Sequence, residues 1–182
     1  MPFFPPIAID GEIYDLSHLD PLTLKVDSAM AAKALTVGVR FSNHCFTKGY
    51  EPEQHPLGQP ILLDEGRRQR SFCPTRYGLS LQLGQLINDL NHPKVQVAQT
   101  AERRNWVYSI TMASPQGPYH VFFALKRGSA NSHSHSRQDL SLIVESAYPE
   151  GELRGGPSVL GRMGFALLCG KVYTGKPLTT KR

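Results

Sequence analysis

Apolar and polar residues alternate most regularly between Asn105 and Arg127, in NWVYSITMASPQGPYHVFFALKR. The pattern predicts two strands joined at Ser114-Pro115-Gln116-Gly117, pairing Ala113 with Pro118 and Thr111 with His120. In that register Trp106, Tyr108, Ile110 and Met112 share a face with Tyr119, Val121, Phe123 and Leu125. These side chains are all large and apolar or aromatic. Leaving them wet would forfeit roughly 1.5–3 kcal/mol for each large aliphatic or Phe, so this face belongs to the core. The opposite face is mixed: Val107, Ser109 and Thr111 lie beside His120, Phe122, Ala124 and Lys126. His120 is therefore expected on the side of the sheet that the core does not need.

Alternation marks further strands. IAIDGEIYDLSHLDPLTLKV alternates around Asp10-Gly11, a hairpin turn signal. KALTVGVRFS (33–42) puts Leu35, Val37, Val39 and Phe41 on one face, and KVQVAQ (94–99) reads as a short strand. In DLSLIVESAYP, Leu140, Leu142 and Val144 alternate with Ser141, Ile143 and Glu145; Ser146 continues the apolar face and Tyr148 ends the strand. A helical period appears after residue 74: Leu79, Leu83, Leu86, Ile87 and Leu90 recur at three- and four-residue steps, with Thr75 as N-cap and Asn91 and Pro93 as the stop. Residues 47–70, with Pro52, Pro56 and Pro60, read as a long loop. The tail VLGRMGFALLCGKVYTGKPL fits a short helix over 158–170, with a buried strand at FALLCGKVY as the alternative.

These elements predict an α+β fold: a twisted antiparallel β-sheet packed on one main helix, with a loop-rich N-terminal third. The 182 residues make one domain, with residues 1–70 a β-rich arm and Pro-rich loop and residues 71–182 the helix-plus-sheet core. A hydrophobic fraction of 40% against 19% charged residues excludes a disordered chain. No apolar run approaches the roughly 20 residues that span a bilayer, and the N-terminus lacks the pattern of a secretory signal. No membrane partner and a cytoplasmic location are therefore expected. Cys45, Cys73 and Cys169 are far apart and odd in number, which argues against a disulfide framework and, with no Cys-x-x-Cys pair, against a zinc ribbon.

The net charge of +5 leans towards an anionic partner. Its cations fall in separate clusters, GRRQR (66–70) with Arg76, Arg103-Arg104, Lys126-Arg127 and the tail, so the fold must decide whether any converge. His133 and His135 sit in a serine-rich loop that reads more readily as solvated than as a metal site. Cys45 follows His44 directly, and neighbours on a strand point to opposite faces, so the two make a poor dyad. Carboxylates are scattered, without the clustered set of a two-metal nuclease. No phosphate-binding glycine loop supports a nucleotide-using transferase.

What remains is metal-free acid–base chemistry on RNA. Attack by a 2′-hydroxyl needs a base, an acid for the leaving oxygen, and cations for the phosphorane. His120 and His44 suit the proton transfers; Arg70, Arg76 and Lys126 suit the phosphate; Tyr148 follows the third strand. The run WVYSI…YHVFFALKR…DLSLIVESAYP…GFALLCGKVYTGKP resembles the small antiparallel-sheet RNase toxins related to barnase, EndoU, the colicin ribonucleases and RelE. That resemblance covers the last hundred residues or so. It implies a metal-independent endoribonuclease of a toxin, phage-conflict or mobile-element system, and puts His120, Arg76, Ser146 and Tyr148 near the site. On this reading the catalytic set is His120, His44, Arg76 and Tyr148, with Arg70, Lys126 and Ser146 binding RNA, no cofactor, and a protein inhibitor as a further partner. The alternative is a non-catalytic regulator that binds nucleic acid or protein, with the loop 47–70 as the contact for a protein.

Overall fold

The computed structural model describes residues 3–101, 106–110, 117–128, 138–152 and 157–178. The chain opens with a hairpin of β1 (Ile7–Ile9) and β2 (Glu12–Tyr14). Asp10 at φ 51° and Gly11 at φ 83° turn it, the two left-handed residues in succession that a tight hairpin requires. β3 (Leu22–Ser28) and β4 (Lys33–Phe41) form a second antiparallel pair, with Leu35, Val37, Val39 and Phe41 buried as their alternation predicts.

The stretch read as a long loop holds a small sheet of β5 (Thr47–Gly49), β6 (Leu62–Leu63) and β7 (Gln69–Phe72), with β7 in the middle. Strands of two to four residues are too short for a period to register. Their prolines lie between β5 and β6, where no ladder N–H is needed. The stretch read as one helix is two, α1 (Pro74–Ser80) and α2 (Leu83–Asp89). Pro74 occupies the first turn of α1, with Cys73 rather than Thr75 as N-cap. The break leaves Leu81 exposed and turns Leu83, Ile87 and Leu90 fully inward.

β8 (Gln96–Thr100), β9 (Trp106–Ile110), β10 (Tyr119–Arg127), β11 (Leu140–Pro149) and β12 (Val159–Gly164) precede α3 (Phe165–Thr174). The stretch read as a short helix over 158–170 is thus a strand to Gly164 and a helix from Phe165, where a buried strand was the alternative. Phe165, Leu168 and Cys169 recur at helical steps and are buried, and Gly175 at φ 71° closes the helix in the left-handed conformation. The main sheet runs β12-β8-β9-β10-β11-β4-β3. Its neighbours are antiparallel except β11 and β4, which run parallel. The fold is α+β and mostly sheet, but the sheet is mixed, and β3 and β4 belong to it rather than to an arm.

β9 and β10 pair Tyr119 with Ile110 and His120 with Ser109, two residues from the expected register. A two-residue slip keeps every side chain on its face. Trp106, Tyr119, Val121, Phe123 and Leu125 are buried accordingly; Thr111, Met112, Ala113 and the turn to Gln116 lie outside the described residues. The helix against this face beside β3, β10 and β11 is α3, whose Phe165 meets Phe123 edge-on at 6.1 Å. Leu83 and Ile87 of α2 join the same core.

β11 does not continue its face as expected. Phe122 pairs with Ser146 but Phe123 with Val144, so Glu145 is an extra residue in a β-bulge. Ser146 leaves the face of Leu142 and Val144, and Ala147 takes the buried position.

Candidate anion-binding site

Three short pieces meet at one end of the main sheet: a 3₁₀ turn after β4 (Asn43–Cys45), the β6–β7 turn and the start of α1. In the β6–β7 turn, Arg67 takes φ 59°, and the Asp64 backbone N–H donates to Arg68 O at 3.1 Å. The Asp64 carboxylate receives the Arg68 backbone N–H at 2.9 Å and the Arg68 side chain at 2.8 Å. Asp64 is thus both the lock of its own turn and one wall of the site.

His44 reaches that carboxylate, with Nε2 3.1 Å from Asp64 Oδ2. The Arg68 backbone bond, helped by the side chains of His44 and Arg68, holds Asp64 far below the usual carboxylate range against the opposing effect of burial. An ionised carboxylate only accepts, so His44 Nε2 carries the proton and Nδ1 the lone pair. Burial, and next the Arg70 guanidinium, push His44 below the ordinary histidine value, outweighing the pull of Asp64. The imidazole is neutral at physiological pH and is oriented by an anion.

Arg70, on β7, is buried. Its Nε donates to Thr47 Oγ1 at 2.7 Å and its Nη2 to Thr47 O at 3.0 Å. No carboxylate forms an ion pair with it among the described residues. Burial and then the like charge of Arg76 lower its proton affinity, against a weaker opposing pull from Asp64. Arg76, on α1, donates Nη1 to His44 O at 3.1 Å and to Thr47 O at 2.8 Å. Its guanidinium also stands 4.9 Å over the Tyr148 ring, a cation–π contact that ties α1 to β11.

The structure brings His44, Arg70, Arg76 and Tyr148 close to one another. His120 is different: it is 4% exposed, not turned to solvent. Its cross-strand neighbour is Tyr148, its ring lies 6.2 Å from Phe122, and Phe122 stacks on Tyr148 at 5.1 Å. The ring group roofs a position that alternation alone leaves open. Burial lowers the His120 pKa against a weaker pull from Glu150. Ser146 sits beside Phe122, half-buried, and Lys126 is exposed six residues along β10 from His120, about 20 Å away.

Asp64, Arg68 and Thr47 escaped the sequence reading as site residues. The run Asp64-Glu65-Gly66-Arg67 carries a turn signal that would have brought Asp64 and Arg68 together. Cys45 is sealed, and burial pushes its thiol up to about 12, which removes it as a nucleophile. His133 and His135 lie outside the described residues; among those described, no cluster of metal-ligating residues forms. Nor, among them, is any helix long and apolar enough to cross a membrane.

A protein-family model, that of the YjaZ family, matches residues 6–173, which include the whole cluster. The chain is similar to Protein YjaZ of Escherichia coli (strain K12), 29% identical over 154 residues, covering 82% of this chain and 81% of that protein. No solved structure matches it.

Proposed function

The chain belongs to the YjaZ family, and from that premise we propose that this member is a non-catalytic regulator that binds the phosphates of RNA at the Arg68–Arg70–Arg76 cluster. One observation carries the reading: Arg70 is a buried guanidinium with no ion-pair partner among the described residues. An unpaired buried charge costs several kcal/mol, a burden that a bound anion offsets. Phosphate suits it, because a planar fork matches two phosphate oxygens. The like charges of Arg76 and Arg68 bear on Arg70 beside the carboxylate of Asp64. The overall charge of +5 favours the same partner.

The His44–Asp64 pair supports a second reading, a metal-independent endoribonuclease of the kind that the RNase-toxin resemblance implies. His44 Nδ1 would accept the 2′-hydroxyl proton while Asp64 steadies the imidazolium that forms. Binding ranks above cleavage because His120, the expected second proton carrier, is buried in the sheet.

Fluorescence anisotropy with labelled single-stranded RNA tests the first reading. Affinity should fall steeply with salt and drop at least about tenfold in Arg70→Met. Absence of binding at low salt, or equal affinity in the variant, refutes it. Incubation of total RNA in EDTA with wild type and His44→Ala tests the second. Loss of RNA that depends on His44 establishes cleavage, and intact RNA in both samples rejects it.

A further inference from the structure

We infer that the outer face of the main sheet, from Tyr148 to Lys126, is a track along which a single strand of nucleic acid lies. The inference deepens the reading above and rests on it, since the arginine cluster supplies the first phosphate contact at one end. The inner face of β10, β11 and β4 is sealed by the core. The outer face is built from the alternate residues, and at its Tyr148 end it runs directly into Arg76.

An outer sheet face in water is ordinarily polar. This one carries Phe122 stacked on Tyr148 with an interplanar angle of 25°, both half-buried, then Ala124 beside Ile143. Flanking them are exposed cations: Arg40 is paired with Ile143 across β4, and Lys126 is paired with Ser141 at the far end. The only carboxylate within these three strands is the bulge residue Glu145. Arg76, Arg40 and Lys126 are thus spread over about 20 Å of strand on either side of β11, the reach of a few extended nucleotides. Flat rings at one end and spaced cations along the rest are what base stacking and phosphate tracking need, and they favour no particular base. Gly38 adds a further device: a Cβ there would strike the Gln138 side chain, so the bare backbone lets an amide lie on this face within reach of base edges.

The test uses the full chain, with labelled oligouridylates of about 3 and about 12 nucleotides. The variants are the exposed pair Arg40→Glu with Lys126→Glu, and Arg70→Met. Inorganic phosphate serves as a separate probe of the cluster through its effect on Tm. The longer RNA should bind at least about tenfold tighter than the shorter, and the double variant should lose that advantage while keeping the wild-type melting temperature and phosphate response. Equal affinity for both lengths, or a double variant that binds the longer RNA like wild type, overturns the track. If Arg70→Met responds to phosphate as wild type does, the cluster reading fails instead, whatever the length series reports.

Discussion

Replacing Arg70 by methionine separates what this guanidinium costs from what it does. The substitution removes two hydrogen bonds, to Thr47 Oγ1 and Thr47 O. Neither Thr47 group is orphaned: the carbonyl keeps Arg76 Nη1 at 2.8 Å, and the hydroxyl keeps its own donation to Asn43 O at 2.7 Å. Bonds to charged groups contribute about 1.5–3 kcal/mol each. Against their loss stand the desolvation of a buried cation, several kcal/mol, and repulsion from Arg76. The two sides nearly cancel. Without phosphate, the variant is expected to match wild type within about 1 kcal/mol, or to exceed it by up to about 2 kcal/mol. With phosphate at about 100 times its dissociation constant, wild type should gain about 2.7 kcal/mol. For a chain of this size that is roughly 5–11 °C in Tm, whereas the variant should move by less than about 2 °C. Thermal unfolding followed by circular dichroism, with chloride balancing ionic strength, measures both quantities. A variant more than about 3 kcal/mol less stable without phosphate would make Arg70 a structural clip, and equal phosphate responses would remove the anion site.

Further expectations follow from other parts of the molecule. His18, His44 and His120 are each lowered, burial being the main cause. Each therefore binds a proton more readily in the unfolded chain, near pH 6.5, so stability is complete above that value and is lost as pH falls towards the folded values. Urea midpoints should drop between about pH 7.5 and about pH 5.5, and a rise on acidification contradicts the assignment. Asp64 contributes nothing to that drop, because in this window its carboxyl is ionised in both the folded and the unfolded chain, the latter protonating only at about pH 4. Burial pushes the Cys45 and Cys169 thiols up to about 12, so a thiol reagent at about pH 8 should leave both unmodified until denaturant is added; rapid native labelling of either refutes this. Gly170→Ala in α3 would bring a Cβ within 2.5 Å of Ser28 Oγ and 2.8 Å of Met30 Cβ, and should cost about 1–3 kcal/mol. Gly78→Ala in α1 meets open space and should stabilise by up to about 1 kcal/mol, so denaturant curves with the same sign for both alanines would refute the packing argument.

What the chain discloses locally is its long alternations. Asp10-Gly11, the inward face of β4 and the aromatic rows of β10 are readable because one period repeats over enough residues to outweigh noise. The same alternation tells which side His120 takes but not what lies against it there: Phe122 two residues along β10 and Tyr148 across on β11. The tail misled because FALLCGKVY is mostly apolar around a single lysine, so its composition cannot tell strand from helix, while VLGRMG holds two glycines and still forms a ladder with β8. The polar cluster was half legible: residue type singled out His44, Arg70 and Arg76, while Asp64 needed the turn geometry of β6–β7. The partnership of β4 with β11 has no local signal at all.

That parallel seam has a consequence for how the protein comes into being. Val37 to Phe41 align with Leu140 to Val144, so the bare edge of β4 waits for a segment made about one hundred residues later. At ribosomal speeds of about 5–20 residues per second, a nascent chain holds this unfinished edge for about 5–20 s, its Leu35, Val37, Val39 and Phe41 side still uncovered. Contacts so remote in sequence also slow refolding. The first third of the molecule is thus made early and completed late, and β11 is the keystone whose arrival ends its exposure to aggregation.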